Sequence, residues 1–421
     1  MKAAVAPRHH PRVLVVEDER DVAELIRYNL TKEGYDVIVA PTGADAVKEA
    51  RATRPDLVLL DFIVVDVHLA RLRAKFTAAR LPVPAIESQG AQTTIRRTRM
   101  RMKTGIAATL AVALAAGAAL AQPVKLDPEL VHYKTVSGVS GNVSSVGSDT
   151  LNNLMTHWAE TFQKFYPNTK VQIEGKGSST APPALISGTA QLGPMSREMK
   201  GTEIDAFEKK YGYKPTAIRT SVDALAIFVN KDNPLKCLSF RQVDGIFSKS
   251  RRQGGEDITT WGQLGVNGEW AGKPISLYGR NSASGTYGFF KEHGLKNGDF
   301  KDTVKEQPGS AAVVQGVTVD RFAVGYSGIG YTTAGVRAVP LTDKDGGKCV
   351  EATADNAYSG TYPLARFLYV YVNKAPGKPL DPLTREFVKL IVAREGQEGV
   401  LKDGYFPIPA TIAREELSKI Q

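Results

Sequence analysis

Leu277-Tyr278-Gly279-Arg280-Asn281-Ser282-Ala283-Ser284-Gly285-Thr286 is the stretch from which the fold can be read. Its start reads as a strand, and Tyr287, Phe289 and Phe290 after it begin a helical pattern. Between strand and helix stand one guanidinium and a Ser-Gly-Thr turn. Arg280 offers a planar fork of N–H groups that matches two oxygens of an oxyanion. Ser284, Gly285 and Thr286 add hydroxyls and backbone donors at a helix start, where negative charge is favoured.

Two further turns upstream have the same build. Ser144-Ser-Val-Gly147-Ser148-Asp149-Thr150-Leu151 leads into a helical pattern through Leu154, Trp158, Phe162 and Phe165. Taken alone, that turn reads first as an ordinary helix cap, with Asp149 capping its own helix. Gly175-Lys-Gly177-Ser178-Ser179-Thr180 follows the strand Lys170–Glu174 and precedes Ala184-Leu-Ile-Ser187-Gly188. No Gly-Lys-Ser/Thr stands at Walker spacing, which argues against nucleotide hydrolysis. Three strand–turn–helix units that each cradle an anion imply an αβ chain built to hold one.

The chain has 421 residues, too many for one ordinary domain, with 42% hydrophobic and 23% charged residues as in soluble globular proteins. Its net charge is +10, but residues 1–121 hold 18 Lys/Arg against 13 Asp/Glu, so half of the surplus lies there. The mild remainder is no footprint for nucleic acid, and no nucleic-acid partner is expected. The two cysteines, Cys237 and Cys349, read as one disulfide in an exported domain and as two buried thiols in a cytosolic one.

Export is written at residues 100–121. Met100-Arg-Met-Lys103 precedes an uncharged apolar run from Gly105 to Leu120, which ends in Ala119-Leu120-Ala121 before Gln122. A basic start, an apolar core and small residues at the cleavage site form a signal peptide. The run is shorter than the ~20 apolar residues of a membrane span. Cys237 and Cys349 are therefore expected as a disulfide and the location as periplasmic. A signal that begins a hundred residues into a chain suggests two joined coding segments.

The first segment alternates strand and helix patterns. Arg12–Val16 leads to Glu17-Asp18-Glu19, a helical pattern follows through Leu30, and Asp36–Ala40 and Pro55–Asp61 are further strands around a helix at Ala44–Ala52. These residues resemble the first half of a response-regulator receiver domain of the phosphate-regulon type. That resemblance implies that Glu17, Asp18 and Asp61 occupy the positions of a Mg²⁺ and phosphoryl site, a use that suits clustered carboxylates at strand ends. The likeness ends after Asp61: no switch hydroxyl and no strand-end Lys follow, only a stretch with Arg71, Arg73, Lys75, Arg96, Arg97 and Arg99. We read residues 11–66 as a truncated receiver, a half flavodoxin-like remnant without phosphotransfer, and 67–99 as a basic linker.

From about Val139 to Leu417 the chain resembles the phosphate-binding proteins of phosphate ABC transporters. The likeness rests on Thr150 in the first turn, Ser178 in the second, and Arg280 with Ser284, Gly285 and Thr286 in the third. Asp223–Asn230, Gly325-Tyr-Ser-Gly328 and Tyr362-Pro363 before Phe367–Asn373 support it. The resemblance implies a type II periplasmic-binding fold of two αβ lobes, lobe I at 137–229 with 358–421 and lobe II at 230–357. It implies inorganic phosphate bound in the interlobe cleft by Asp149, Thr150, Leu151, Ser178, Ser196, Arg280, Ser284, Gly285 and Thr286. It further implies delivery to an ABC permease in the inner membrane, a monomer, and no cofactor. Two positions depart from the family: Ser196 stands where some members carry an acidic residue, and Ser282 where some carry Asp. Asp149 is then the candidate that reads the phosphate proton. The competing readings are a binder of another oxyanion such as sulfate, a periplasmic phosphoester hydrolase, and a signalling fusion. His132, His157 and His293, the only histidines after residue 121, show no metal-ligand spacing, and no Gly-x-Ser-x-Gly elbow occurs.

Overall fold

The computed structural model describes residues 12–16, 23–24, 27–28, 30–31, 34–61, 85–89, 92–96 and 124–420. The chain divides into two compact units, Met1–Ala118 and Ala119–Gln421. The expected signal peptide at 100–121, like Glu17 and Asp18, lies outside the described residues. Among those residues, no helix is long and apolar enough to cross a membrane.

In the first unit, β1 (Arg12–Val16) lies between β2 (Asp36–Ala40) and β3 (Leu57–Asp61), parallel to both. Val13 to Val16 are buried, as an apolar run flanked on both sides should be. Helix α1 (Gly43–Thr53) starts at Thr42, whose hydroxyl accepts the Asp45 N–H, and stops at Arg54 with φ 47°. One expectation is corrected here. Residues 67–99 are not only linker, because β4 (Ala85–Gln89) and β5 (Gln92–Arg96) form a hairpin that extends the sheet, β5 pairing antiparallel with β3. A free edge on β3 offers unpaired backbone groups, and the β-branched stretch Thr93-Thr94-Ile95 within β5 pairs along it.

The second unit contains two main sheets. In chain order its first elements are β6 (Gly141–Val146), α2 (Asn152–Phe165), β7 (Thr169–Glu174), α3 (Ala181–Ser187), β8 (Gly193–Met195), α4 (Gly201–Tyr211) and β9 (Thr216–Ala224). Helix α2 buries Leu154, Met155, Trp158 and Phe162 along one stripe, the amphipathic spacing that the sequence shows. The chain then enters β10 (Ala226–Asn230), β11 (Leu238–Ser239), α5 (Phe240–Phe247), β12 (Ser276–Arg280), α6 (Gly285–Phe289), β13 (Val304–Gln307), α7 (Ser310–Val319), β14 (Ala323–Ser327), β15 (Val336–Ala338) and β16 (Leu341–Thr342). It returns through α8 (Ala354–Tyr358), β17 (Ala365–Val372), α9 (Pro382–Val392), α10 (Arg394–Lys402), β18 (Phe406–Pro407) and α11 (Ala410–Ser418).

One sheet has the order β18-β9-β17-β8 and the other β13-β12-β14-β10-β15. The chain passes between them twice. Those passages touch, since the Leu225 N–H donates to the Leu364 carbonyl at 3.0 Å and the Tyr362 hydroxyl to the Leu225 carbonyl at 3.0 Å. Strand β10 pairs with β14 and β15, so Ala226–Val229 belong to the second sheet rather than to the end of the first half. Continuous burial from Leu225 to Val229 hid that passage, because an apolar run gives no turn signal where it changes sheets. Cys237 and Cys349 are disulfide-bonded across 112 residues of sequence, with Cα atoms 6.0 Å apart. They lie beside β11 and the bridge of Leu341 to Val350.

Candidate functional site

The three turns converge where the two sheets face each other. Thr150, Ser178, Ser196 and Thr286 are fully buried, and Ser148 and Ser284 nearly so. The Thr150 and Thr286 hydroxyls lie 2.9 Å apart, joining the first turn to the start of α6. Ser148 donates to the Ser196 hydroxyl at 2.9 Å, and Ser178 stands 3.3 Å from the same oxygen. Buried hydroxyls are tolerated only with partners, so a cluster of this kind is a built polar site.

Glycine makes the approach possible at two points. A Cβ on Gly285 would lie 2.2 Å from the Ser178 hydroxyl and 2.7 Å from that of Ser196. Gly177 has φ +116°, and a Cβ there would lie 2.5 Å from the Ala283 carbonyl. That contact lets the Ser179 N–H donate to Ala283 O at 3.1 Å, tying the second turn to the third.

Arg280 ends β12 and is 1% exposed. Its Nη1 donates to the Ser310 hydroxyl at 2.6 Å and its Nη2 to the Pro308 carbonyl at 3.1 Å. Nη2 also lies 3.1 Å from Asp149 Oδ1, an ion pair between the two halves. The Arg280 Nε has no hydrogen-bond partner among the described residues. Burial pushes the guanidinium pKa down, with the Asp149 carboxylate opposing. A buried arginine with an unused N–H is a charged donor still in need of an acceptor.

Asp149 does not cap its own helix. Its Oδ1 accepts the Ser310 N–H at 2.7 Å, so it caps α7 from across the cleft. Its carbonyl accepts from the Tyr331 hydroxyl at 3.0 Å, and the Thr150 carbonyl accepts from the Tyr405 hydroxyl at 3.0 Å. Burial raises both phenol pKa values, with the Asp149 carboxylate adding to the effect at Tyr331 and that of Asp223 at Tyr405. Both hydroxyls therefore stay protonated donors.

Of the expected site residues, Asp149, Thr150, Ser178, Ser196, Arg280, Ser284, Gly285 and Thr286 come together. Leu151 offers less: its side chain lies in the core with Leu154 and Trp158, and its N–H donates to the Ser148 carbonyl at 3.3 Å. Sequence reasoning missed Ser148, Ser310, Tyr331, Tyr405 and the pair Asp223–Arg366. Arg366 Nε and Nη2 lie 3.0 and 2.8 Å from Asp223 Oδ2, while Nη1 donates to the Ser196 carbonyl at 2.7 Å and Nη2 to the Thr286 hydroxyl at 2.9 Å. One available signal was Arg366 as the single charge in the otherwise apolar run Ala365–Val372, since a charge buried there needs a partner.

Two facing αβ sheets, two touching crossings and donors from both sides define a two-lobed binding protein of the type II periplasmic class. Residues 134–395 match the PBP superfamily domain, and residues 13–75 match the response regulator receiver domain. The receiver match runs past Asp61, further than the sequence reading took it. The chain is 58% identical over 322 residues to the phosphate-binding protein PstS of Pseudomonas aeruginosa, covering 76% of this chain and 99% of that one. A Clostridium perfringens structure, described as a phosphate ABC transporter substrate-binding protein with bound phosphate, superposes with TM-score 0.54 at 26% identity. It covers 64% of this chain and 100% of that one. An ABC-type phosphate transport receptor from Vibrio cholerae shares the fold, with TM-score 0.50, 24% identity and coverage of 63% and 100%. The chain belongs to the PstS family of phosphate-binding proteins, preceded by receiver-domain sequence.

Proposed function

We propose that this chain captures inorganic phosphate between its two sheets and hands it to the permease of an ABC importer. The observation that carries this reading is Arg280: buried, charged, with an N–H still unpaired, and linked through Asp149 and Thr150 to hydroxyls from both halves. The names of the relatives, phosphate-binding and phosphate-transport proteins, support phosphate as the anion. A bound anion bridges Arg280 and Thr286 on one side with Thr150, Ser178 and Ser196 on the other, and so favours closure about Leu225 and Leu364. We take lobe I to run to about Ala224 and resume at Ala365, with lobe II between.

Binding rather than turnover fits the histidines. His132 pairs with Glu395, His157 faces Asp403, and His293 packs on Phe289. Each of the three is thus engaged away from the cluster of site hydroxyls. Export to the periplasm as a monomer completes the proposal, with the segment 100–121 removed; the 322 residues matched by the Pseudomonas relative equal the length from Met100 onward. Calorimetric titration with inorganic phosphate tests the reading. One saturable site is expected, with no release of product from a chromogenic phosphoester. Turnover of the ester, abolished with Arg280→Ala, would replace binding with hydrolysis.

A further inference from the structure

A buried ion pair stands behind the binding hydroxyls. Arg366 and Asp223 face each other directly in the antiparallel ladder of β17 and β9, beside the two crossings. Both are buried: the arginine side chain is 3% exposed and the aspartate 0%. Asp223 Oδ2 receives two guanidinium N–H groups, and its Oδ1 accepts the Ile329 N–H at 2.9 Å. The guanidinium lies over the Phe289 ring at 5.0 Å and donates to the Ser196 carbonyl. Held by a carboxylate, a carbonyl and a ring, it has little freedom, and its remaining contact is with Thr286.

A guanidinium only donates, so the Thr286 oxygen must accept from Arg366. A hydroxyl has one proton, and with a lone pair taken from behind, that proton is left to point away from Arg366. The oxygens in front are Thr150 Oγ1 at 2.9 Å and Ser196 Oγ at 3.4 Å, the face where an anion bridging the halves would lie. Ser284 and Ser178 follow the same rule by weaker means. The Thr286 and Tyr287 N–H groups donate to Ser284 Oγ, and the Ser196 N–H donates to Ser178 Oγ. Each of these hydroxyls has an N–H behind it, and only Thr286 has a charged one.

We infer that Arg366 is a positioning residue that sets the Thr286 hydroxyl as a donor to the bound anion and draws the start of α6 onto the first sheet. Arg366 sits on β17 and Thr286 on α6, so this bond exists only when the halves are together. Asp223 keeps the pair neutral, and the second arginine strengthens one donor without competing with Arg280 for the anion. The inference rests on the phosphate-binding reading, and the experiment separates the two.

The full chain is titrated with inorganic phosphate. Wild-type protein that binds no phosphate would sink the functional reading and not the role of Arg366. Given binding, Arg366→Lys keeps a charge for Asp223 but loses the fork that reaches Thr286. It is measured alone and in the Thr286→Val background. With Thr286 present, Arg366→Lys should weaken phosphate at least about tenfold, the scale of a hydrogen bond with a charged partner. With Thr286 replaced, the same change should matter less than about twofold. Equal losses in both backgrounds would mean that Arg366 acts through the fold at large, and an unchanged Kd with Thr286 present would also overturn the inference. Should Arg366→Lys fail to fold, Asp223→Asn with Arg366→Met leaves no lone buried charge and runs through the same cycle with the same criteria.

Discussion

Replacing Asp149 by asparagine keeps the shape of the side chain and removes its charge, which separates two roles. One role is visible: the carboxylate lies 3.1 Å from Arg280 Nη2 and accepts the Ser310 N–H at 2.7 Å, holding the halves together. An amide oxygen can keep the Ser310 bond but not the charge on Arg280. Hydrogen bonds with a charged partner are worth ~1.5–3 kcal/mol against ~1 for neutral ones, so the closed form should lose about 1–2 kcal/mol. That weakens every anion roughly 5- to 30-fold and equally. The second role is discrimination. Phosphate near neutral pH carries a proton and sulfate does not, so a carboxylate accepts from the first and repels the second. Asp149→Asn should then also shrink the preference for phosphate over sulfate, measured by competition binding. Equal losses for both anions would leave Asp149 as a latch alone. A variant that binds phosphate more tightly than wild type would refute both roles.

Other expectations follow from the same contacts. Arg280→Ala should weaken phosphate by about tenfold to a hundredfold, because it removes a buried charged donor; unchanged affinity by calorimetry would place the anion elsewhere. Replacing Cys237 and Cys349 by serine should lower the midpoint of thermal unfolding, since the bond closes a loop of 112 residues, for which chain entropy gives roughly 4–5 kcal/mol. An unaltered melt would mean that the unfolded chain is held compact without it. Asp403 gives a pH signature: burial pushes its carboxyl up to about 7, and its Oδ2 has no hydrogen-bond partner among the described residues. Between the ordinary carboxyl range near ~4 and that value, the folded protein holds a proton that the unfolded chain has released. Stability should therefore fall as pH rises through that window, by at most ~1.4 kcal/mol per pH unit, and Asp403→Asn should flatten the slope. Urea unfolding at pH 5 and pH 8 checks this, and parallel behaviour of the two proteins would count against it.

What the sequence showed was local. A Gly-Ser-Asp-Thr turn before Leu154, or a Ser-Gly-Thr after Arg280, carries its chemistry within a few residues, and the helix starts follow from the same residues. What it hid was distant. Asp149 reads as a cap for its own helix because the one it caps begins 161 residues later. Arg366 and Asp223 stand 143 residues apart, and neither means much until β17 lies on β9. The passage at Leu225 was hidden in a continuous buried run, and the β4–β5 hairpin in a stretch read for its charge rather than for its β-branched residues. Pairing across a sheet is a property of topology, and one sequence without its sheets does not contain it.

Among the carboxylates beside the site, we propose Asp149 as the one that tells phosphate from sulfate. Ser196 is an alcohol whose oxygen already accepts from Ser148. Asp223 is committed elsewhere: one of its oxygens is held by the Arg366 guanidinium and the other by the Ile329 N–H. It cannot take a proton from a ligand without giving up a buried ion pair, which is strongly unfavourable. Asp149 differs. Among the described residues, both contacts of its carboxylate fall on Oδ1, its side chain keeps 22% exposure, and it sits against the arginine that we assign to the anion. Oδ2 is then the acceptor free to read a proton, at the cost of none of the contacts that hold the halves together. The geometry requires that the charge doing so also be the one that pins Arg280 and caps α7. If Asp149 has both roles, a substitution that removes its charge weakens selectivity and closure together, which is the joint loss the competition experiment looks for.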